Sequence, residues 1–488
     1  MRKTLISLLV FFSLSASAQE VLTLEACKQI ALTNNRILRI DSSNLQSAKY
    51  SSKSAFANYF PDISFSGIFL RLNKQFQMFK NDLLLPVIPY QAIDAANMQV
   101  SMANLNNPQI APLTFALDPA TGMPLIDANG NPVFKNYAWL PANQSKLGEK
   151  DNFLFNLSLT QPIFVGGKIY YANKMAQNAV EIARYKTEID RQSLLYEVED
   201  LYYNVWIIDK KYKLALKHLD LLKEIEKDVE NYLKEGLITS NQLLMIRSKI
   251  NQAQVDIFKA KNGLSVQKQL LNQKIGRDIQ QDFTVEDSLK ADFEVIQNIL
   301  NTQLSIDSRP EVKLLEQKVL LNKNLMKVTQ ADMMPQLGLT ANYFFVNPNP
   351  YKGLEDEFGD DYALGLSLKI PLFHAFERYN KRQSALLQYK SAQLEMEDNR
   401  NLLNIEAIYT SNQLKEQFMQ VEAARKNVEL ARENLRIQTD MFHEGMLKLS
   451  DLTEAQTMWL KAETDYYEAY ANLLIYHAKL RKSYGILQ

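Results

Sequence analysis

The chain repeats itself. Asn152 to Gly276 aligns with Asp361 to Gly485 without a gap, 125 residues at a constant offset of 209. In that register NFLFNLSLTQPIF falls on DYALGLSLKIPLF, so Pro162 meets Pro371 and Phe164 meets Phe373. Glu235-Gly236 lands on Glu444-Gly445, Leu243 on Leu452 and Gly276 on Gly485. A second constant offset, 274, sets Pro61 on Pro335, Ile63 on Leu337 and Phe69 on Tyr343. Identity is low, but register held over such lengths marks a structural repeat, and a repeat constrains architecture before any local propensity does.

The first 18 residues have the form of a secretory signal: Arg2 and Lys3, the apolar run Leu5 to Leu14, then Ala16-Ser17-Ala18 as the cleavage site. That run is too short to span a bilayer as a helix, and no later stretch reaches the ~18 apolar residues a span needs. Membrane insertion therefore has to use β-strands. Cys27 is the only cysteine, so no internal disulfide or cysteine metal cluster is available. It lies 13 residues beyond the apolar run with Glu25 beside the would-be cut, which argues against lipidation. Acidic and basic residues balance at 55 each, the wrong signature for a nucleic-acid partner. His218, His374, His443 and His477 show no metal-ligand spacing, and no nucleotide cradle or nucleophile motif appears. The expectation is a protein without catalytic residues or cofactor.

Proline placement draws the map. None occurs between Pro162 and Pro310 or after Pro371, whereas eight of the fifteen lie between Pro86 and Pro141. An interior proline costs a helix about 3 kcal/mol, so the proline-free stretches are where long helices fit. Alternating steps of three and four from Val198 to Leu233 meet ten apolar residues in eleven positions, Glu226 being the exception. The matching row from Ala407 to Phe442 is richer in alanine. A helix from Lys168 to Glu235 would measure roughly 100 Å. Each long helix ends at Glu-Gly, and glycine there suits a left-handed stop with Leu237 or Met446 as the apolar contact. Thr239 with Gln242, and Asp451 with Glu454, read as capping boxes that restart the chain in the opposite direction. The returning helices reach Gly276 and Gly485. Leu22 to Asn58 and Pro310 to Met333 supply further helix ahead of the first strand of each repeat.

Four segments alternate with period two: Ile63 to Leu72, Asn152 to Gln161, Gln336 to Val346 and Tyr362 to Ile370. Phe153, Phe155, Leu157 and Leu159 face one way, and Asn156, Ser158 and Thr160 the other. Strands of ~10 residues with one apolar and one small polar face are the size that crosses an outer membrane in a tilted barrel. Pro61, Pro162, Pro335 and Pro371 mark the strand–helix junctions. Aromatics stand at both ends, Tyr59, Phe60, Phe164 and Phe373 against Phe69, Phe153, Phe345 and Tyr362. The loop in the first repeat, residues 73–151, is 65 residues longer than its counterpart and reads as an outer-face insert. A closed membrane barrel needs about eight strands or more, so four per chain require self-association.

The order of these parts, with the start LTLEACKQIALTNNRIL, two P-[IL]-F strand exits and paired Glu-Gly turns, resembles the TolC-type outer-membrane efflux family over nearly the whole mature length. The resemblance implies an α+β membrane protein: a homotrimer with one twelve-stranded β-barrel in the outer membrane, continuing into a coiled-coil α-helical tunnel through the periplasm. Residues 19–276 would form the first repeat, 277–308 an equatorial segment and 309–488 the second repeat. The implied partners are outer-membrane lipid, a periplasmic adaptor protein and an inner-membrane transporter, for drug efflux or type I secretion. Adaptor docking falls on the hairpin tips, Glu235, Gly236, Leu237, Thr239, Glu444, Gly445, Met446 and Lys448. The family's acidic constriction corresponds to Asp451 and Glu454. Its polar latch does not carry over, since Phe442, Leu447 and Gln242 occupy those positions; closure would rest on packing of Phe442 and Leu447. A general diffusion porin and a secreted coiled-coil adhesin are the competing functions. The long helices count against the first, and the alternating strands against the second.

Overall fold

The computed structural model describes residues 20–289, 292–302 and 304–487. The expected signal segment, residues 1–18, lies outside them. Helices α1 (Leu24–Asn34) and α2 (Arg36–Ala57) lead into strand β1 (Asp62–Arg71). After the insert come β2 (Asp151–Phe164), α3 (Lys168–Lys234) and α4 (Ser240–Ile275). A short helix, Phe293–Asn301, follows, then α5 (Pro310–Ala331), β3 (Gln336–Asn347), β4 (Gly359–Lys369), α6 (Glu377–His443) and α7 (Leu449–Ser483). The bounds reproduce both offsets. α2 and α5 are 274 apart at each end, and α3 and α6 are 209 apart at each end. No described helix is long and apolar enough to cross a membrane.

The described residues divide into two compact units, those within 20–57, 166–333 and 372–487 forming one and those within 58–165 and 334–371 the other. In the helical unit α3 is central, with α2, α4, α5 and α7 packed on it; α7 also carries α6. The two 67-residue helices bury different amounts of themselves. On α6 the row Ala407, Thr410, Leu414, Gln417, Val421, Ala424 and Val428 is buried as one narrow stripe. On α3 the buried set widens around Val198 to Tyr202, Tyr203, Val205, Trp206 and Ile207, because that helix is covered on several sides. The expected helix Leu22 to Asn58 is broken at Asn35. Its backbone is extended, its Oδ1 accepts from Ile37 N at 2.8 Å, and its Nδ2 donates to Lys274 O at 2.9 Å. One asparagine ends α1, caps α2 and ties the elbow to α4. Residues Val21–Leu22 instead pair in parallel with Thr284–Val285, bringing the segment after α4 beside the chain's start.

Two αL residues connect strand to helix in each repeat. In the first they are Gly166 and Gly167, at φ 63° and 82°; in the second Ala375 and Phe376, at 41° and 61°. Glycine accepts that geometry freely, whereas alanine and phenylalanine carry about 1–2 kcal/mol of strain each.

In the strand unit all neighbours are antiparallel, in the order β4-β3-β2-β1, leaving β1 and β4 as open edges. The strands match expectation within a few residues, with one correction. β2 does not leave the sheet at Pro162 but continues to Phe164, past a register shift opposite Leu337 and Gly338. β1 has ended at its pairing with Thr160, so Pro162 lies where β2 is itself an edge and a missing N–H costs nothing in the ladder. Pro61 and Pro335 immediately precede β1 and β3, and Pro371 follows β4 by two residues. The insert continues the β1–β2 hairpin outward. Phe76–Gln77 pairs with Lys146–Leu147 and Leu83–Pro86 with Tyr137–Leu140, and beyond them lies a head with a small core of Ala92, Leu105 and Phe115.

Candidate functional site

The sheet separates chemistry by face. Cross-strand rows place Ile63, Leu159, Ala341 and Leu364 on one side, and Phe65, Leu157, Tyr343 and Tyr362 beside them. On edge strand β4, Tyr362, Leu364 and Leu366 are each at least 70% exposed. Covering such a row with hydrocarbon is favourable, and water is the wrong solvent for it. The opposite face carries Ser64, Ser158, Asn156, Asn342, Thr340 and Gly365. Here Ser64 Oγ and Ser158 Oγ are 2.8 Å apart, and Asn156 Nδ2 donates to Asn342 Oδ1 at 3.4 Å. Small, neutral and hydrogen-bonded, these groups suit a polar conduit wall. Phe69 and Phe153 pair at 5.0 Å, and Phe345 stacks on Phe358 at 4.5 Å, giving the end of the sheet next to the insert an aromatic band.

The helical unit carries the two hairpin tips. Both stops have the paired bonding of a left-handed cap. Leu237 N donates to Tyr232 O and Gly236 N to Leu233 O; Met446 N donates to Met441 O and Gly445 N to Phe442 O. Gly236 and Gly445 have φ of 75° and 71°. The expected apolar contact is not made, because Leu237 and Met446 are 67% and 71% exposed. Glu235, Glu444, Thr239 and Lys448 are exposed too, so the tips present apolar and charged groups outward together.

The capping boxes are also corrected. Thr239 is the N-cap of α4 without a side-chain bond; Gln242 is half-buried and approaches through its backbone N–H, 3.1 Å from Thr239 O. In the second repeat the N-cap is Lys448, the residue 209 beyond Thr239, so α7 begins ahead of Asp451. Asp451 and Glu454 are therefore first-turn and second-turn side chains, both exposed, and Asp451 accepts from Ser450 Oγ at 2.8 Å. Phe442, 4% exposed, meets Tyr232 edge-on at 6.0 Å within a cluster of Leu222, Val229, Ile246, Leu449 and Leu452, against which Leu447 also packs. Phe442 thus packs the two hairpins of one chain together. Tyr232 OH donates to His443 O at 3.0 Å across the same joint.

Periodicity gives no hint of the ion pairs deeper in the helical unit. Glu199 on α3, 1% exposed, receives Lys28 Nζ of α1 at 2.7 Å and Arg481 Nη2 of α7 at 3.0 Å to each carboxylate oxygen. Arg309, also buried, holds Glu311 and Glu406 at 3.0 Å. Exposed Asp287 receives Lys210 and Lys213 at 2.9 and 2.8 Å, and these two hydrogen bonds hold its carboxyl down to about 2. Apart from Glu311 beside Arg309, these partners are far apart in sequence, so only contact reveals them.

Two blocks of the chain, residues 92–277 and 301–486, match the family model described as outer membrane efflux protein, and the blocks are themselves 209 apart. The chain is similar to the alkaline protease secretion protein AprF of Pseudomonas aeruginosa, 22% identical over 349 residues, covering 67% of this chain and 69% of that protein. The CmeC outer membrane channel of Campylobacter jejuni superposes with a TM-score of 0.70 at 16% identity, covering 95% of this chain and 86% of that one. The outer membrane protein VceC of Vibrio cholerae gives 0.69 at 13% identity, with 95% and 96% covered. Identities this low speak for the fold alone; the doubled family match goes further. The chain belongs to the outer membrane efflux protein family, as an exit duct of the outer membrane that reaches into the periplasm.

Proposed function

We propose that three copies close one twelve-stranded barrel and that their paired helices continue it as a periplasmic tunnel. The observation that carries this is the open four-stranded sheet, apolar on one face and finely polar on the other. An open edge cannot stand in lipid. Because the four strands alternate in direction, β1 of one copy and β4 of the next run antiparallel, so a head-to-tail ring closes without a mismatched seam. The ladder of Ser64, Ser158, Asn156 and Asn342 faces the lumen, and the Tyr362, Leu364 and Leu366 row faces lipid. The insert stands on the outer side. Neither a soluble adhesin nor a simple porin fits family membership together with both long hairpins.

The tips, Glu235 to Thr239 and Glu444 to Lys448, dock on a periplasmic adaptor that links the duct to an inner-membrane transporter. A secretion role draws support from the likeness to a protein named for alkaline protease secretion; an efflux role draws it from the family description. Asp451 and Glu454 would gather six carboxylates around the periplasmic opening, where they favour cations and bind multivalent ones. In a planar bilayer the channel should be cation-selective and blocked by trivalent ions from the periplasmic side. Asp451→Ala with Glu454→Ala should weaken both effects while the trimer survives. Unchanged selectivity and block would remove these residues from the conduction path.

A further inference from the structure

The insert's root carries a surface that its own chain leaves uncovered. Lys74, Phe76, Met78 and Lys80 are all exposed. The residues between them are tied back: Gln75 Nε2 donates to Gly148 O at 2.8 Å, and Phe79 N donates to Ser145 Oγ at 3.2 Å. Lys74 and Lys80 form no ion pair among the described residues. From Arg71 to Asp82 there are three cations and one acid.

The β3–β4 loop has the opposite character. From Lys352 to Asp361 there are five acids and one cation, and that lysine is spent on Glu357 at 2.8 Å. The acids are held in place by neutral groups: Asn347 donates to Asp356 at 3.1 Å, Tyr343 OH to Asp360 at 2.7 Å and Tyr351 OH to Asp361 at 2.6 Å. Fixed but not neutralised, they stand beside the exposed ring of Tyr351.

Among the described residues the insert touches this loop within its own chain only through apolar atoms, Gly148 lying beside Leu354 and Pro348, and the loop's acids pair with no cation of the insert. Within one chain the ends of β1 and β4 are separated by β2 and β3. Across a closed ring, however, β1 and β4 are neighbours, and their antiparallel course brings Arg71, the last residue of β1, to the level of Gly359, the first of β4. We propose that each copy clasps the next on the outer side, the Lys74–Phe76–Met78–Lys80 surface of one insert seated on the acidic, Tyr351-bearing loop of its neighbour. This rests on the ring reading above and names a contact specific to this chain's long insert. Opposite charges supply register across the seam, and Phe76 and Met78 against Tyr351 supply apolar area that excludes water from the pairs.

The test uses full-length protein extracted in detergent, with copy number read by light scattering and subunit exchange by mixing two labelled preparations. Lys74→Glu with Lys80→Glu should raise exchange about tenfold, as expected for losing two partly exposed pairs. Adding Glu355→Lys with Asp356→Lys to the same chain, which restores opposite charges across the seam, should bring exchange back towards wild type. A trimer whose exchange ignores both sets, or whose fourfold variant is no slower than the twofold one, overturns the clasp and leaves the ring intact. A wild-type protein that is not trimeric overturns the ring itself. If the lysine variants instead lose co-purifying lipid phosphate and the acid variants alone change nothing, the surface binds anionic headgroups and the clasp is refuted.

Discussion

Glu199→Gln is the sharpest perturbation of the helical unit. The substitution preserves shape while removing the charge that Lys28 and Arg481 share. Lys28 is nearly buried, and its other contact, Glu25, is exposed to solvent. Breaking one partner of a buried ion cluster costs about 3–5 kcal/mol, since the remaining charges stay desolvated. Much of this should fall on α1, whose fully buried residues besides Lys28 are the small Cys27 and Ala31, with Leu24 and Ile30 only partly buried. At 1.4 kcal/mol per tenfold, opening of α1 should rise roughly 100- to 1,000-fold. Hydrogen-exchange mass spectrometry reads this directly: peptides covering Leu24–Asn34 should exchange that much faster, while peptides at the Gly236 tip stay unchanged. The triple variant Lys28→Met, Glu199→Leu, Arg481→Met removes the charges together and should recover most of the protection, because the desolvation cost disappears with them. Wild-type exchange in the glutamine variant would refute the reasoning, and so would a triple variant as labile as the single one.

Glycine caps should differ by surroundings: Gly236→Ala meets open space and should cost about 1 kcal/mol, whereas a Cβ on Gly276 would lie 2.9 Å from Asn34 Cβ and 3.1 Å from its carbonyl oxygen. Thermal unfolding should therefore rank Gly276→Ala well below Gly236→Ala. At the strand–helix connection, Ala375→Gly should stabilise by about 1 kcal/mol and Gly166→Ala should destabilise, both read as shifts in unfolding midpoint. His477 is held near 4 by burial and by the adjacent Arg481, below its ordinary 6.5, and its Nε2 has no hydrogen-bond partner among the described residues. The unfolded chain binds the extra proton, so stability should fall as pH drops from 6.5 towards 4, by about 2 kcal/mol at pH 5. His477→Leu should flatten that slope in unfolding curves. Photocrosslinkers at Leu237, Thr239, Met446 or Lys448 should capture a periplasmic partner far more often than crosslinkers at mid-helix positions, and equal yields would argue against tip docking.

The long helices were legible because their signals are local and redundant. Missing prolines set where a helix can run, and Gly236 and Gly445 set where it must stop. The strands were legible because alternation survives in lipid-facing sheets. Local capping preference misplaced the start of α7 at Asp451, although the repeat register, pairing Thr239 with Lys448, pointed to the true N-cap. Register outperformed propensity there because the tip geometry is shared and the capping side chains are not used. Leu237 and Met446 suited an intrachain contact equally well by type, and only exposure shows that they face outward. The Glu199 cluster, joining residues 28, 199 and 481, could not be found by any window along the chain.

The equal lengths of α3 and α6, 67 residues each, restrict how such a duct can change its reach. One inserted residue would advance a tip by about 1.5 Å and turn everything beyond it by about 100°. The buried stripe from Ala407 to Val428 would rotate out of its groove, and the bond between Tyr232 and His443 would part. Seven residues return the phase to within ~20° but overshoot by about 10 Å. Only an identical insertion in both repeats would keep the tips level. The two helices thus behave as a matched pair of gauges, adjustable in coarse notches and only in tandem.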